Sequence, residues 1–461
     1  MVISRSAVFG LVAVLGAAWN AGPATAQSLS QALALAYSNN PQLAAARATA
    51  RATDEGLGIA GGAGRAKING SASIGRSYTA YGYPDAQGGG TRDFYTTPAS
   101  IGITLVQPLY TGGQVTAGVN QAEAAVRAQR EVLRSTEQTV LLAAATAFMN
   151  VTRDTALVSL QESNVKFLTE QVRAAKDRFG VGEGTQTDVA QAEASYQLAV
   201  SQLNAARAQL NASRAEFRQV IGQDPGKLTG ADAIDKLLPK ALDKAVAAAQ
   251  AENPQILAGQ HNVDVALHNV KYLEGALLPQ LSVQGSAGRS FDNPSYKTLN
   301  SAGVSLNLTV PIHQGGGEYA KIRQAKEQLG AARIQVDLAR DTVRANVVAA
   351  WGALQAANAS IAAYRAQVEA SQLALNGVIE EQRVGQRTTL DVLNQQTMLI
   401  TARSNLVTAE RARVVGSFQL VAAVGRLDAD RLKIAVVHYE PAAHTEAVRD
   451  KWFGLRTPDG Q

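Results

Sequence analysis

The sequence predicts a mainly α-helical, internally duplicated protein that combines long coiled-coil helical hairpins with the strands of a membrane β-barrel. Three observations carry this prediction. The chain repeats itself once, two long segments keep an apolar heptad, and a period-two alternation precedes each of those segments. Each copy is therefore expected to be a strand hairpin followed by a long helical hairpin.

The duplication is visible along almost the whole chain. Residues 29–45 match residues 242–258 at a shift of 213, whereas later matches, such as 181–189 with 384–392, lie at a shift of 203. The first copy therefore has about ten extra residues, most simply in the loop around 79–97. We expect a first structural repeat over 27–241, a second over 242–427, and a C-terminal periplasmic tail over 428–461.

The first 26 residues have the features of a secretory signal peptide. Arg5 provides the basic start, residues 7–19 the apolar core, and Ala24-Thr25-Ala26 an A-x-A-like cleavage site before Gln27. No other stretch reaches the ~18 apolar residues that a membrane helix needs. An exported chain without such a helix is expected in the periplasm, at the cell surface or in the outer membrane.

Composition argues against several classes of function. The chain has no cysteine, which excludes disulfides, thiolate metal sites and a cysteine nucleophile. The net charge of +5 is spread out, and no basic block with interleaved aromatics indicates nucleic-acid binding. We find no nucleophile with a base, and His261 and His268 lack a third metal ligand. We expect no catalytic, cofactor or metal site.

Four strands are predicted from apolar residues that alternate with small polar ones, over about 67–78, 98–110, 280–291 and 301–313. Such strands are typical of a membrane β-barrel with an aqueous interior, although a half-buried soluble sheet also alternates. Aromatic residues gather at the hairpin ends, as in a membrane-interface girdle or as turn-flanking core residues: Tyr78, Tyr81, Tyr83, Phe94, Tyr95, Phe291 and Tyr296. Four strands cannot close a barrel around a channel, so several chains must share one.

Two long helices are predicted over about 115–179 and 318–381, each near 100 Å long. In both, the heptad skips four residues at the same point, which is a coiled-coil stutter. The seam positions of the first copy are Val119, Val126, Leu133, Val140, Ala147, Val151, Val158, Val165, Val172 and Phe179. Those of the second are Ile322, Leu329, Val336, Val343, Ala350, Leu354, Ile361, Val368, Leu375 and Gln382. An ordinary amphipathic helix in a bundle is the alternative.

Shorter elements complete each copy. Glycine-containing turns lead from the long helices into second helices over about 187–221 and 389–424, which makes antiparallel helical hairpins. Asn40-Pro41 and Asn253-Pro254 have the pattern of a helix N-cap followed by a proline at the first helical position.

This order of elements, given twice over residues 29–427, resembles that of TolC-type outer membrane efflux proteins. Specific similarities are Ala145-Thr146-Ala147-Phe148, Leu278-Pro279-Gln280-Leu281, the segment 310–316 and the segment 384–393. The resemblance implies a homotrimer with one twelve-stranded β-barrel in the outer membrane, continued by an α-helical barrel across the periplasm. It implies a passive exit duct of a tripartite efflux or type I secretion system. A periplasmic adaptor protein would join the duct to an inner-membrane pump of the RND or ABC type.

The resemblance also implies roles for residues at the hairpin turns. Asp391, Asp188 and Asn394 would lie at the pore constriction and set cation selectivity. Asn394 replaces an acid of the family pattern, which implies a weaker cation preference here. Arg387 would hold a gate latch with Thr187 and Asp188. An adaptor would dock at Val181, Gly182, Thr185, Val384, Gly385 and Thr388.

Each of these roles has a structural alternative. Thr185 with Asp188, and Thr388 with Asp391, have the spacing of capping boxes, in which an acid in the first helical turn is favourable. Arg387 could be an exposed turn residue, and the glycines could simply end a helix. For the whole chain, a periplasmic coiled-coil adaptor without a pore is the alternative function. Two helical hairpins and long alternating strands favour the channel.

Overall fold

The computed structural model describes residues 27–83, 88–231, 233–293 and 296–458. The predicted signal peptide, residues 1–26, lies outside them. The first copy consists of α1 (Leu29–Asn39), α2 (Pro41–Gly62), β1 (Lys67–Ile74), β2 (Ser77–Tyr83), β3 (Gly90–Thr96), β4 (Ala99–Thr111), α3 (Gln114–Gly180) and α4 (Gln186–Ile221). The second consists of α5 (Leu242–Glu252), α6 (Pro254–Gly275), β5 (Gln280–Asn293), β6 (Tyr296–Thr309), α7 (Gly317–Arg383) and α8 (Thr389–Val424), and α9 (Pro441–Arg449) follows in the tail.

The main sheet is antiparallel, with strand order β1-β4-β5-β6. Its register brings the apolar residues of all four strands to one face, since Ile68 pairs with Leu105, Leu105 with Gly285, and Gly285 with Val304. The opposite face is small and polar, as the Ser73–Ser100 hydroxyl pair at 2.8 Å shows. This confirms one apolar and one small polar face. Apolar side chains on the first face stay exposed in the protomer, among them Ile68, Ile74, Ile101, Ile103, Val304, Leu306 and Leu308.

The strand bounds differ from those expected. The first hairpin is interrupted at Gly75-Arg76 and Thr97-Pro98, after which β2 and β3 continue in the same register as a two-stranded ribbon. Pro98 has no N–H for the ladder, and its carbonyl accepts a bond from the Gly75 amide at 2.9 Å instead. The extra residues of the first copy are thus largely strand. In the second hairpin β6 ends at Thr309, two residues before Pro311, rather than near residue 313.

The predicted heptad is the buried seam of both long helices. In α7 the seam residues Ile322, Leu329, Val336, Val343 and Leu354 are all at most 8% exposed. In α3 they include Val126, Leu133, Val140, Ala147 and Val151. The remaining seam positions Val119, Val158, Val165, Val172, Ala350 and Val368 are half-buried, and Phe179, in the last turn of α3, is 49% exposed.

The largest core cluster lies at the stutter of α3. Between Val140 and Val151 most side chains are buried, because the stutter moves the seam to a new face and α1 covers the old one. Phe148 meets Phe217 of α4 with ring centroids 6.5 Å apart, and Phe418 of α8 joins the same cluster. The core therefore joins both helical hairpins midway along their length.

The two Asn-Pro motifs are confirmed as N-caps, and each also ties two helices together. The Oδ1 of Asn40 accepts from the Gln42 amide at 2.9 Å, and its Nδ2 donates to the Val220 carbonyl at 2.9 Å. Asn253 repeats this arrangement with Gln255 and with the Ala423 carbonyl, both at 2.9 Å. Both asparagines are buried, so each copy closes its helical hairpin onto its short helices in the same way.

Ion pairs reinforce the second closure. Glu252 at the end of α5 accepts from Arg426 and Arg431, and these bonds lower the pKa of its carboxyl to about 2.

Among the described helices, none has an apolar stretch long enough to cross a membrane.

Candidate functional site

The predicted site residues lie in the two turns that end the helical hairpins. Both turns have the same Schellman-type geometry, with Gly182 and Gly385 at φ of 81° and 79°. The amide of Glu183 bonds the Arg178 carbonyl at 2.9 Å, and the amide of Gln386 bonds the Glu381 carbonyl at 2.9 Å. Val181 and Val384 are 72% and 71% exposed at the extreme end of the molecule. The turns thus present two similar apolar knobs.

Capping boxes follow both turns. Thr185 caps α4 by accepting from the Asp188 amide at 3.2 Å, and Asp188 Oδ2 accepts from the Thr185 amide at 3.0 Å. Thr388 and Asp391 make the same pair of bonds at 3.2 and 2.9 Å. The capping interpretation of both acids is therefore confirmed, and Thr187 lies exposed between the two members of the first box.

The capping bonds also keep the two carboxylates charged. Bonds from Thr185 lower the pKa of the Asp188 carboxyl, and bonds from Thr388 lower that of the Asp391 carboxyl. Asn394 is exposed on α8, three residues after Asp391, where a second acid would add to the charge. Each chain thus offers two ionised carboxylates at its hairpin ends.

Arg387 is held by a residue that the sequence did not single out. Its Nε lies 2.8 Å from Glu381 Oε2, and this pair raises the pKa of the guanidinium. Within one protomer, then, the ion pair recorded for Arg387 is with Glu381 of the same hairpin rather than with the predicted Thr187 and Asp188.

The two turns lie side by side and enclose a cleft of about 500 Å³, lined by residues that include Asp188, Arg387 and Gln382. Gln382 accepts a long 3.5 Å bond from Arg178 of the other hairpin and donates to Thr389 at 3.2 Å. Deeper in the molecule, a buried 2.9 Å bond joins Gln396 of α8 to Asn164 of α3. The site therefore brings Asp188 and Arg387 to one cleft without pairing them.

Glu381, Arg178 and Gln382 were missed, but the repeat held a signal for them. Aligned at a shift of 203, Arg178 corresponds to Glu381, Phe179 to Gln382, and Gly184 to Arg387. These departures from the duplication all fall at one turn, and they create the Arg387–Glu381 pair only in the second copy.

Comparison with known proteins identifies the family of the chain. The family model described as outer membrane efflux protein matches residues 32–223 and again residues 245–426. The chain belongs to the outer membrane efflux protein family. The two matched ranges are the two structural copies, each containing one strand hairpin and one helical hairpin.

Individual members of the outer membrane efflux protein family resemble the chain over most of its length. The outer membrane efflux protein BepC of Brucella suis biovar 1 (strain 1330) is 45% identical, covering 99% of this chain and 98% of its own. The outer membrane protein TolC of Escherichia coli (strain K12) is 26% identical, covering 87% and 83%. The crystal structure of the Campylobacter jejuni CmeC outer membrane channel has a TM-score of 0.78 at 17% identity, covering 92% of this chain and 89% of its own.

These findings place the chain in the outer membrane as an efflux channel with a large periplasmic helical part. They favour the channel over the periplasmic adaptor. The apolar face of the sheet is uncovered in the protomer. The helical hairpins carry Asp188, Asp391 and Arg387 to the opposite, periplasmic end of the molecule.

Proposed function

We propose that three copies of the chain form one passive export duct with no chemistry of its own: a twelve-stranded β-barrel continued by an α-helical barrel. The observation that carries this proposal is the open sheet. Within the residues that the structure describes, β1 and β6 each pair with one neighbour only, so the sheet has two free edges. Unpaired edges are not tolerated in lipid, so each must find a partner in another copy.

The edges have the right polarity to pair with each other. β1 runs away from the helices and β6 runs back towards them, so β6 of one subunit meets β1 of the next antiparallel, as every pair within the sheet does. Eight strands give a barrel filled by side chains, so twelve is the smallest multiple of four that leaves a lumen.

The duplication supports a specific register for the new pair. Within the protomer Thr104 of β4 faces Ser286 of β5. The equivalent of Thr104 in the second copy is Asn307, at a shift of 203, and the equivalent of Ser286 in the first copy is Ser73, at a shift of 213. The repeat therefore places Asn307 of one subunit opposite Ser73 of the next. The same shifts bring Leu306 opposite Ile74, and both belong to the apolar face. The register therefore keeps apolar residues on the lipid side and polar residues in the lumen around the whole barrel.

At the periplasmic end, the same symmetry would repeat the cleft around the duct axis. Asp391, Asp188 and Asn394 would form rings whose carboxylates favour cations. Arg387 would hold the closed state through its pair with Glu381, and through Thr187 and Asp188 where neighbouring hairpins meet. An adaptor would dock on the knobs formed by Val181, Gly182, Thr185, Val384, Gly385 and Thr388. This adaptor would connect the duct to an inner-membrane pump of the RND or ABC type.

Cysteine cross-linking tests the assembly without background, because the chain has no cysteine. Ser73→Cys combined with Asn307→Cys should form disulfides between subunits under oxidation, since directly paired strand residues have Cα atoms about 5 Å apart. Because each subunit links to the next, denaturing electrophoresis should show a ladder that ends at three.

The matched control moves one cysteine by one residue. Ser73→Cys with Leu306→Cys places the two sulfurs on opposite faces of the barrel and should not cross-link. A ladder ending elsewhere would contradict the trimer. Equal cross-linking of both pairs would contradict the register, and absence of ion conductance by the wild-type protein in planar bilayers would contradict the duct.

A further inference from the structure

The C-terminal tail contains an exposed apolar loop that the proposed duct does not use. Lys451 Nζ donates to the Arg456 carbonyl and closes a tight loop, in which Gly454 has a φ of 105°. The loop holds Trp452, Phe453 and Leu455 outwards, at 62%, 86% and 103% exposure. Such a concentration of uncovered aromatic and aliphatic surface marks an interaction site. We call residues 451–456 the tail loop.

Helix α9 fixes where the tail loop lies. His444 Nδ1 is 3.0 Å from Asp54 Oδ2 of α2, in a pair that is almost fully buried. Arg449 pairs with Glu123 of α3 at 2.8 Å. These contacts fix α9 along α2 and α3, so the tail loop that follows α9 has a defined height along the molecule.

That height is the base of the membrane sheet. The guanidinium of Arg65 stacks over the Trp452 ring at 4.5 Å, and β1 begins two residues later at Lys67. Tyr110 is at the same base, 49% exposed and paired with Leu281, which itself faces Leu308. The tail loop therefore lies near the end of the sheet from which the exposed apolar face begins.

We propose that the tail loop is a membrane-interface anchor, which inserts Trp452, Phe453 and Leu455 among the phospholipid headgroups of the periplasmic leaflet of the outer membrane. The inference rests on the proposed barrel, because only insertion of the sheet brings the tail loop to a bilayer. Tryptophan is the residue most favoured at this level, with its ring in the apolar boundary and its N–H among polar groups. Lys451 and Arg456 flank the apolar residues and suit lipid phosphates.

Tryptophan fluorescence tests the proposal directly. Beyond the predicted signal peptide the chain has two tryptophans, Trp351 in α7 and Trp452. In the Trp351→Phe variant, reconstituted as the assembled protein in phosphatidylcholine vesicles, emission comes from Trp452 alone. Replacing the lipid by one brominated high on its acyl chains should quench that emission, as expected for an indole at the headgroup level.

Two further variants make each outcome decisive. Trp452→Phe retains only Trp351, deep in the periplasmic helices, and its emission should not change with brominated lipid. The difference between the native chain and this variant isolates Trp452 even if Trp351→Phe does not assemble. Leu306→Trp in a chain with both tryptophans replaced by phenylalanine reports on the barrel surface and should be quenched strongly.

Quenching of the Leu306→Trp probe without quenching of Trp452 overturns the anchor and leaves the barrel intact. A blue-shifted Trp452 emission that is insensitive to bromine means that a neighbouring subunit covers the tail loop, which also overturns it. Absence of quenching of the Leu306→Trp probe by brominated lipid would count against the barrel. The three results are therefore separable.

Discussion

At the scale of single residues, the most informative feature is a pair that exists in one copy of the repeat only. Arg387 pairs with Glu381, whereas the equivalent positions of the first copy are Gly184 and Arg178. Arg178 instead reaches Gln382 across the cleft. An exposed pair of this kind contributes little to folding stability, because solvent screens the two charges. Because it lies at the periplasmic end of the proposed duct, we propose that it acts on the conformation of the gate.

We predict that Arg387→Ser raises the conductance of the resting channel in planar bilayers, because the second hairpin loses the contact that holds its turn. Arg383→Ser is the matched control, since Arg383 makes a similar exposed pair with Glu380 at 2.8 Å one turn earlier. Equal conductance for the two variants would remove Arg387 from the gate.

The charge of Asp391 leads to a second prediction. Asp391→Asn should lower the cation preference of the channel, measured as a reversal potential in a salt gradient. Asp337→Asn, on an exposed acid far from the turns, should leave it unchanged. An unaltered reversal potential in Asp391→Asn would reject the acidic-ring proposal.

The pH dependence follows from the lowered pKa values of Asp188 and Asp391. A carboxyl whose folded pKa lies below its unfolded value stays charged as the pH falls through the ordinary value of about 3.9. Both the cation preference and the capping contribution should therefore be present above that value and disappear only at lower pH. Loss of preference already near pH 5 would indicate another titrating group.

At the scale of elements, the asparagine of each Asn-Pro motif explains how short helices close a long hairpin. One side chain satisfies two helix ends, since its oxygen caps an N-terminus and its amide group donates to a C-terminal carbonyl. Glu252 adds a charged contact beside the second of these junctions. The junctions lie near the core at the stutter, so the two hairpins are fixed to each other there. Their turns lie far from these junctions and have different residues in the two copies.

Replacement of Asn253 should separate its two functions. Asn253→Ala loses both the cap and the donor to Ala423, which should cost about 2 kcal/mol, whereas Asn253→Ser keeps the cap and should cost about half as much. Thermal unfolding of the assembled protein measures the difference, with Gln255→Ala on the exposed side of α6 as control. Equal effects of alanine and serine would mean that the donor bond contributes nothing.

At the scale of the whole molecule, the repeat makes contacts inside one protomer a guide to contacts between protomers. A Cβ at Gly275 would lie 2.6 Å from the Gly112 carbonyl oxygen, so the end of α6 and the start of α3 approach too closely for any side chain. In the repeat, Gly62 of the first copy corresponds to Gly275, and Gly315 of the second copy corresponds to Gly112. In the described part of one protomer, a Cβ added at Gly62 or at Gly315 would meet open space. Gly62 of one subunit is therefore expected against Gly315 of the next.

Gly62→Ala tests this expectation. It should leave the isolated chain folded, because alanine is a better helix former than glycine. It should nevertheless lower the fraction of trimer that native mass spectrometry detects. Gly56→Ala is the control on the same helix, since the repeat places Asn269, which has a side chain, at the equivalent position. A trimer unaffected by Gly62→Ala would contradict the pseudo-symmetric packing.

Prediction from the sequence succeeded where periodicity is long and failed where geometry is local. The heptad located the buried seam over most of both long helices, and period two located both faces of the sheet. The interruption at Gly75 and Pro98 was missed, because the missing N–H of Pro98 removes a hydrogen bond between two strands, whereas the alternation of apolar and polar residues along each strand is unchanged. The exposure of Phe179 was missed because a heptad pattern predicts burial only where another helix packs against the seam, and Phe179 lies at the end of its helix.

The sequence by itself determined the duplication, the helical seams, the faces of the strands and the identity of the capping residues. Each of these depends on a period or a short spacing along the chain. Only the tertiary structure decided that Arg387 pairs with Glu381, that Asp188 and Arg387 share a cleft, and that α9 carries Trp452 to the base of the sheet. These contacts join residues through space, and their geometry depends on how the helices and the sheet pack together.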